Sequence, residues 1–164
     1  MTSPRKKGKK RSSEEHPRGL PVLVSACALG IPCRYDGSGT PKLAGRIPTS
    51  VIPVPLCPEQ LGGFSTPRPP ARISEGDGRD VLAGKARVVN QDGQDVTGGF
   101  IRGAREAARI AAMLGIKEAY LVEKSPSCGV NLVWTTSGLC PGMGVAAATL
   151  AEQGIKLIGL EESE

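Results

Sequence analysis

The sequence predicts an α/β fold: one three-layer domain on an open, mostly parallel, Rossmann-like sheet, with an inserted β-hairpin. Three observations carry that prediction. Short apolar runs of strand length recur along the chain: LPVLVSA, VIPVPL, AYLVE and IKLIGL. Helix-like stretches precede the last two runs, and each ends on a glycine, Gly115 or Gly154. Helix, glycine, strand, used twice, is the pattern of βαβ units and a parallel sheet. Aromatic residues are also scarce (Phe 2, Tyr 2, Trp 1) while Gly 22 and Pro 14 are abundant. The core must then be Val, Ile, Leu and Ala, with shaped loops between elements.

Residues 20–25 read as the first strand. CALGIPCRYDGSG follows as a shaped loop with a tight turn at Asp36-Gly37, and residues 42–46 as a short helical segment. VIPVPL (51–56) is apolar but contains Pro53 and Pro55. Proline removes ladder donors, so this strand is expected to be short or to lie at an edge. CPEQLGGFSTPRPPARI (57–73) is a long ordered loop stiffened by prolines, the kind of loop that is usually functional.

KARVVNQDGQDVT alternates in polarity around Asp92-Gly93 and reads as the inserted hairpin. Thr97 is the expected N-cap of a helix over about 98–114. Phe100, Ala104, Ala107, Ala108, Ala111 and Leu114 fall on one face, and Gly115 is the expected stop. AYLVE (119–123) is the next strand. NLVWTT (131–136) is expected to pair locally, GMGVAAATLAEQG (142–154) to form a small-residue helix, and IKLIGL (155–160) the last strand.

The 164 residues suffice for one domain with a real core. Formal net charge is +5, from 21 Lys and Arg against 16 Asp and Glu. Residues 1–18 alone hold seven Lys or Arg and two Glu, which leaves 14 of each sign for the remainder. The expected division is therefore a disordered basic tail over 1–18 and a domain over 19–164 without electrostatic bias toward nucleic acid. The tail is expected to solubilise, with weak nucleic-acid contact through phosphate neutralisation as a further role. No apolar run reaches the roughly 18 residues that span a bilayer. The basic N-terminus has no apolar segment behind it, so a secretory signal is not expected. A cytoplasmic protein with reduced thiols follows, and an odd number of cysteines, five, argues against a disulfide framework.

The only histidine is His16, in the tail. The domain thus has no Ser-His-Asp triad, no Cys-His pair and no histidine metal site. Cys27, Cys57 and Cys128 each stand just past a strand-like run. Parallel strands bring all three to one sheet edge, where open α/β sheets place their ligands. Cys57-Pro58 and Cys128-Gly129 suit a metal or cluster ligand. The ordinary alternative is that cysteine acts as a small buried hydrophobe.

Cys33 and Cys140 leave two readings open. With either as fourth ligand, the site is a closed structural zinc site in a non-enzymatic module whose tail binds RNA. With three ligands it is an open, catalytic one. Glu59 is a candidate general acid or base, or else a surface carboxylate. Ser125 and Ser127 flank Pro126, as candidate substrate contacts or as turn residues. Arg34, Asp36 and Arg68 read as turn or ion-pair residues, and GMGV (142–145) is only a weak anion motif.

Five segments then occur in order: VSACALGIPCRYDG, PLCPEQLGGFSTPRPP, GRDVLAGKARVVNQDGQDVTGGF, KSPSCG, and GVAAATL with GIKL. Together they resemble the thiouracil desulfidase (TudS) family, a small bacterial domain-of-unknown-function family, over roughly residues 20–160. The resemblance implies a 4Fe–4S cluster held by three cysteines, which match Cys27, Cys57 and Cys128, with the fourth iron open to substrate sulfur or sulfide. It implies a hydrolytic desulfidase that turns the C=S of a thiouracil-like base into C=O and releases sulfide. Glu59 matches the family's acid/base carboxylate, and Ser125 and Ser127 lie where a serine near the reacting site is expected. Another thioamide substrate, or sulfide shuttling, is the neighbouring alternative.

Two departures stand out. Ala71-Arg72-Ile73 replaces the usual Ala-Glu-Ile, and Met143 stands in the usual Gly-Asp-Gly loop. Relatives that act on thiolated tRNA carry an extra domain that this sequence lacks. The expected partner is a small thiolated base, and the expected state a monomer or small homo-oligomer with no membrane association.

Overall fold

The computed structural model describes residues 19–162, and the expected basic tail lies outside them. The first strand, β1 (Pro21–Ser25), runs into a 3₁₀ turn (Ala26–Leu29). A second 3₁₀ segment (Pro41–Arg46) then leads to β2 (Ile52–Leu56). One helical turn, α1 (Pro58–Leu61), precedes β3 (Ala71–Ile73), α2 (Gly78–Leu82) and β4 (Val88–Asn90). The long helix α3 (Thr97–Met113) leads to β5 (Glu118–Val122), then β6 (Leu132–Thr135) and β7 (Gly138–Pro141). Helix α4 (Val145–Glu152) and β8 (Lys156–Leu160) close the chain.

β2, β1, β5 and β8 form a four-stranded sheet in that order, and every pairing in it is parallel. β1 matches β2 from Pro21↔Ile52 to Ser25↔Leu56, and β5 matches β8 from Glu118↔Lys156 to Val122↔Leu160. The chain moves outward from β1 to β2 and then returns to the other side of β1 for β5. The strand order therefore reverses between β1 and β5, and a crevice opens outside their C-terminal ends. β2, with its two prolines, takes an edge as expected.

Side chains alternate across this sheet. Leu23, Ala119 and Leu121 face α3 and α4, where they pack with Ala107, Ala108, Ala111, Ala147 and Leu150. Val22, Val24 and Tyr120 face the opposite side, against Ala28, Leu43 and Ile47 of the 3₁₀ layer and the segment after it. Both faces are covered, which is why these strands read as unbroken apolar runs. The three-layer, mostly parallel reading agrees with this arrangement.

The expected hairpin is part of something larger. β4, β3, β6 and β7 form a second, mixed sheet in that order. β3–β4 and β6–β7 are antiparallel, and β3–β6 meet in parallel at Ile73↔Thr135. The local hairpin after β4 turns at Gly93, φ +78°, and is held by the bridge Val89↔Asp95 and by the N–H groups of Asn90 and Val96, which donate to the Gln94 and Val88 carbonyls (each 2.9 Å). β4 pairs with β3, fifteen or more residues earlier, a partner that alternation within the segment could not reveal. This sheet packs Ile73, Val88 and Val133 on Phe100, Ala104, Val145 and Ala146, so α3 and α4 serve both cores.

Thr97 is the first residue of α3 and not its cap. Its hydroxyl accepts the Val88 N–H (2.9 Å) and donates to Asp95 (2.6 Å), which joins the helix start to β4. Helix α4 starts at Val145, after the GMG turn.

Candidate metal centre

Each of the three strand-end cysteines is set by its own local device. Cys27 lies in the 3₁₀ turn after β1, where its carbonyl accepts the N–H groups of Thr40 (2.7 Å) and Gly30 (3.0 Å). Gly30 is left-handed at φ +88°, which lets the chain turn back there. Cys57 caps the one-turn helix α1, with Pro58 pre-set at its first position. Beneath that turn lies Gly103 of α3, where a Cβ would collide with the Pro58 carbonyl. The absence of a side chain there fixes how closely α3 supports the Cys57–Glu59 segment.

Cys128 sits in a loop held from both ends. The buried carboxylate of Glu123 accepts the backbone N–H groups of Val130 (2.7 Å) and Asn131 (2.8 Å) and the Asn131 amide (2.7 Å). The Ser125 hydroxyl accepts the N–H groups of Ser127 (3.1 Å) and Cys128 (3.0 Å). Lys124, at φ +72°, bonds both ways to β6: its N–H to Leu132 O and its carbonyl to Trp134 N–H, each at 3.0 Å. The loop is thus closed between the two sheets.

The three cysteines border one cavity of about 600 Å³, together with Cys33, Ser25, Glu59, Arg68 and Ser125. Its opposite wall is made by the second sheet, through Arg72, Asn90 and Trp134. The Arg72 guanidinium stacks over the Trp134 ring at 4.9 Å. Arg72 therefore puts a cation on the cavity wall, held by an aromatic face.

The sulfurs are electrostatically unequal. The Cys33 thiol lies beside Cys27 and Cys57, and its single hydrogen can be donated to either sulfur. That donation lowers Cys27 to about 7, against the opposing effect of burial and with help from the Thr40 hydroxyl and Arg34. It lowers Cys57 to about 6, again against burial, with help from the Gln60 backbone and Arg68. Cys33 itself is pushed far up by its interactions with the same two sulfurs. Burial pushes Cys128 up, opposed by the Ser25 hydroxyl beside it. The charges of Cys27 and Cys57 also repel any charge on Cys128.

Three mutually repelling sulfurs at the rim of one cavity are a donor set that a cationic centre would satisfy. The Thr40 hydroxyl gives a second sign. It is buried with no hydrogen-bond partner, next to a Cys27 sulfur that could accept once charged. Among the described residues, no group of three His, Cys, Asp or Glu side chains is placed to hold a single metal ion.

Glu59 lies in the same cavity, 3.1 Å from Arg68 Nη2. Ser125 borders the cavity, whereas Ser127 is fully buried and does not line it. Ser127 contributes its carbonyl, which accepts the N–H groups of Ala146 (2.9 Å) and Ala147 (3.1 Å) at the start of α4. Cys33 is at the site, but Cys140 is not. Cys140 lies on β7, 3.3 Å from Thr135 Oγ1, beside a separate cavity lined by Asp77 and Asp80. Asp36 is bound to Ser38 in its own turn (2.6 Å).

Sequence reasoning passed over Ser25, Thr40 and Glu123, whose roles depend on distant partners. The clearest readable sign was Ser25, two residues before Cys27 at the end of a buried strand.

A family model described as 2-thiouracil desulfurase matches residues 22–162. A Bacillus subtilis (strain 168) relative, the uncharacterized protein YbbK, is 41% identical over 145 residues, covering 86% of this chain and 96% of the relative. A solved structure of the 4Fe-4S-dependent thiouracil desulfidase TudS superposes with a TM-score of 0.69 at 34% identity. The match covers 85% of this chain and 89% of that one.

Proposed function

We propose, for a chain that belongs to the 2-thiouracil desulfurase family, that it is a desulfidase of thiouracil-like small molecules and depends on a 4Fe–4S cluster. The observation that carries this reading is the convergence of Cys27, Cys57 and Cys128 on the cavity that also holds Glu59. The overall change is C=S plus water to C=O plus hydrogen sulfide, with no net oxidation or reduction.

Cys27, Cys57 and Cys128 would hold the cluster. When bound through three cysteines, such a cluster supplies an iron open to a soft sulfur atom, a Lewis acid suited to a thiocarbonyl. The rest is done by the chain. Glu59, held by Arg68 at the cavity wall, takes the proton of the attacking water and returns it to the departing sulfur. The Ser125 hydroxyl accepts two backbone N–H groups and keeps its own hydrogen for donation into the cavity. In this arrangement the hydroxyl role falls to Ser125, since Ser127 is buried and does not line the cavity.

Trp134 and Arg72 give the outer wall a flat aromatic face and a charge, a surface on which a planar base can lie. No helix among the described residues is long and apolar enough to cross a membrane. A site that needs free thiolates suits a reducing compartment, and we place the protein in the cytoplasm. The zinc-module alternative is not favoured: Cys140 lies at a different cavity, and although Cys33 is at the site, the family model and the superposed solved structure are both of thiouracil desulfidases.

The test is anaerobic. Protein that carries its full complement of iron is given 2-thiouracil, 4-thiouracil and their nucleosides, and sulfide and carbonyl product are measured. Equal amounts of the two products from at least one free base are expected. No sulfide from any of them contradicts the reading.

A further inference from the structure

We propose that Arg68 is a positioning residue: its guanidinium fixes the Glu59 carboxylate and the Cys57 sulfur relative to each other across the cavity. This inference rests on the desulfidase reading of the site.

A single nitrogen, Nη2, lies 3.1 Å from Glu59 Oε2, 2.9 Å from the Cys33 carbonyl and 4.0 Å from Cys57 Sγ. The same cation therefore touches the Glu59 carboxylate, the Cys33 loop and the Cys57 sulfur. The other terminal nitrogen, Nη1, donates to Thr66 Oγ1 (3.0 Å) and to the Ser65 carbonyl (3.2 Å). The Arg68 backbone N–H donates to the Tyr35 carbonyl (2.8 Å), which ties it to the Cys33 loop as well. The guanidinium is thus clamped from behind before it reaches forward.

Burial makes the arrangement meaningful. The Arg68 side chain is only 6% exposed and that of Glu59 17%. Arg68 Nε is buried with no partner at all. A buried cation with an unsatisfied donor is costly. The ion pair with Glu59, inside the cavity, offsets that cost. A fixed N–H beside a thiolate sulfur also stabilises the more negative state of whatever that sulfur binds.

A planar fork is needed for this, not only a charge. Lysine offers a single ammonium that can reach Glu59 or the Thr66 anchor, but not both from one rigid plane. Arg68→Lys and Arg68→Gln therefore separate charge from geometry.

The experiment uses whole, cluster-loaded protein prepared without oxygen: wild type, Arg68→Gln and Arg68→Lys. Iron content, circular dichroism, the cluster's reduction potential, kcat and KM are measured for each. For Arg68→Gln, near-wild-type iron and fold are expected, with a potential shifted to a more negative value and kcat down by about 10- to 100-fold while KM changes less than about threefold. Arg68→Lys is expected to retain most of the potential but only a small part of kcat. If Arg68→Gln does not fold, the Lys variant decides. Wild-type kcat in it overturns the proposal, and a low kcat with a near-native potential supports it. Unchanged potential and kcat in a folded Arg68→Gln overturn the proposal alone. A wild type with neither cluster nor turnover overturns it together with the reading it rests on.

Discussion

Glu59 and the three strand-end cysteines make separable demands on a variant. The cysteines would hold the group, and Glu59 would move a proton. Replacing Cys27, Cys57 or Cys128 by Ala is expected to abolish cluster binding, read as loss of iron and of visible absorption. Glu59→Gln is expected to keep the iron and lose about 10²- to 10⁴-fold in kcat, the usual worth of a positioned acid/base. Full activity in that variant would remove Glu59 from the mechanism. Ser125 carries a structural load too. Ser125→Ala leaves the N–H groups of Ser127 and Cys128 without their partner. A loss of about 1–3 kcal/mol follows in denaturant titration, whereas Ser125→Thr keeps the oxygen and most of that stability.

Among the elements, the short helix α2 shows how a site is supported from a distance. Asp77 caps it in a capping box with Asp80 and also accepts the Met143 N–H (3.1 Å), at the turn before α4. Gly144 follows, where a Cβ would collide with the backbone of Ser127. One carboxylate thus holds the turn that backs the Cys128 loop. Burial pushes Asp77 up, but the Arg79 side chain and the N–H groups of Met143 and Arg79 outweigh it and hold the carboxyl below its ordinary value. A carboxylate depressed in the folded state stabilises it fully above its unfolded pKa, and that stability is lost as pH falls through the folded value. Acid denaturation of Asp77→Asn, followed by circular dichroism, is therefore expected to depend less steeply on pH below about 4 than that of the wild type. An identical pH dependence would contradict the assignment. Gly144→Ala is expected to destabilise by more than the few tenths of a kcal/mol typical of a surface change, because the collision is with backbone.

For the whole molecule, what the sequence disclosed and what it hid follow from the range of the interactions. The parallel sheet was legible because Val22 to Val24 and Ala119 to Leu121 are buried on both faces and need no distant clue. The edge position of β2 was legible from Pro53 and Pro55, which limit pairing locally. The second sheet was not, because β4 reads as half of a local hairpin but pairs on its other side with β3, and β3 meets β6 at one residue pair, Ile73 and Thr135, 62 positions apart. The cysteine set was legible because its members all follow strands of one parallel sheet. The clamp of Arg68 on Glu59 and Cys57 was not, since nothing in TPRPP says which carboxylate faces it. Cys140 looked equivalent to Cys33 in sequence, and only the path of β7 separates them.

The central claim is that three cysteines from three strand ends hold one iron–sulfur cluster. Its most direct measurement is iron and acid-labile sulfide per chain, with the visible spectrum, in protein purified and reconstituted without oxygen. Brown protein with about four irons and four sulfides per chain, bleached by each of the three Cys→Ala changes but not by Cys140→Ala, is the result this account predicts. Protein that stays colourless after reconstitution, or that loses its colour only when Cys140 is replaced, would contradict it.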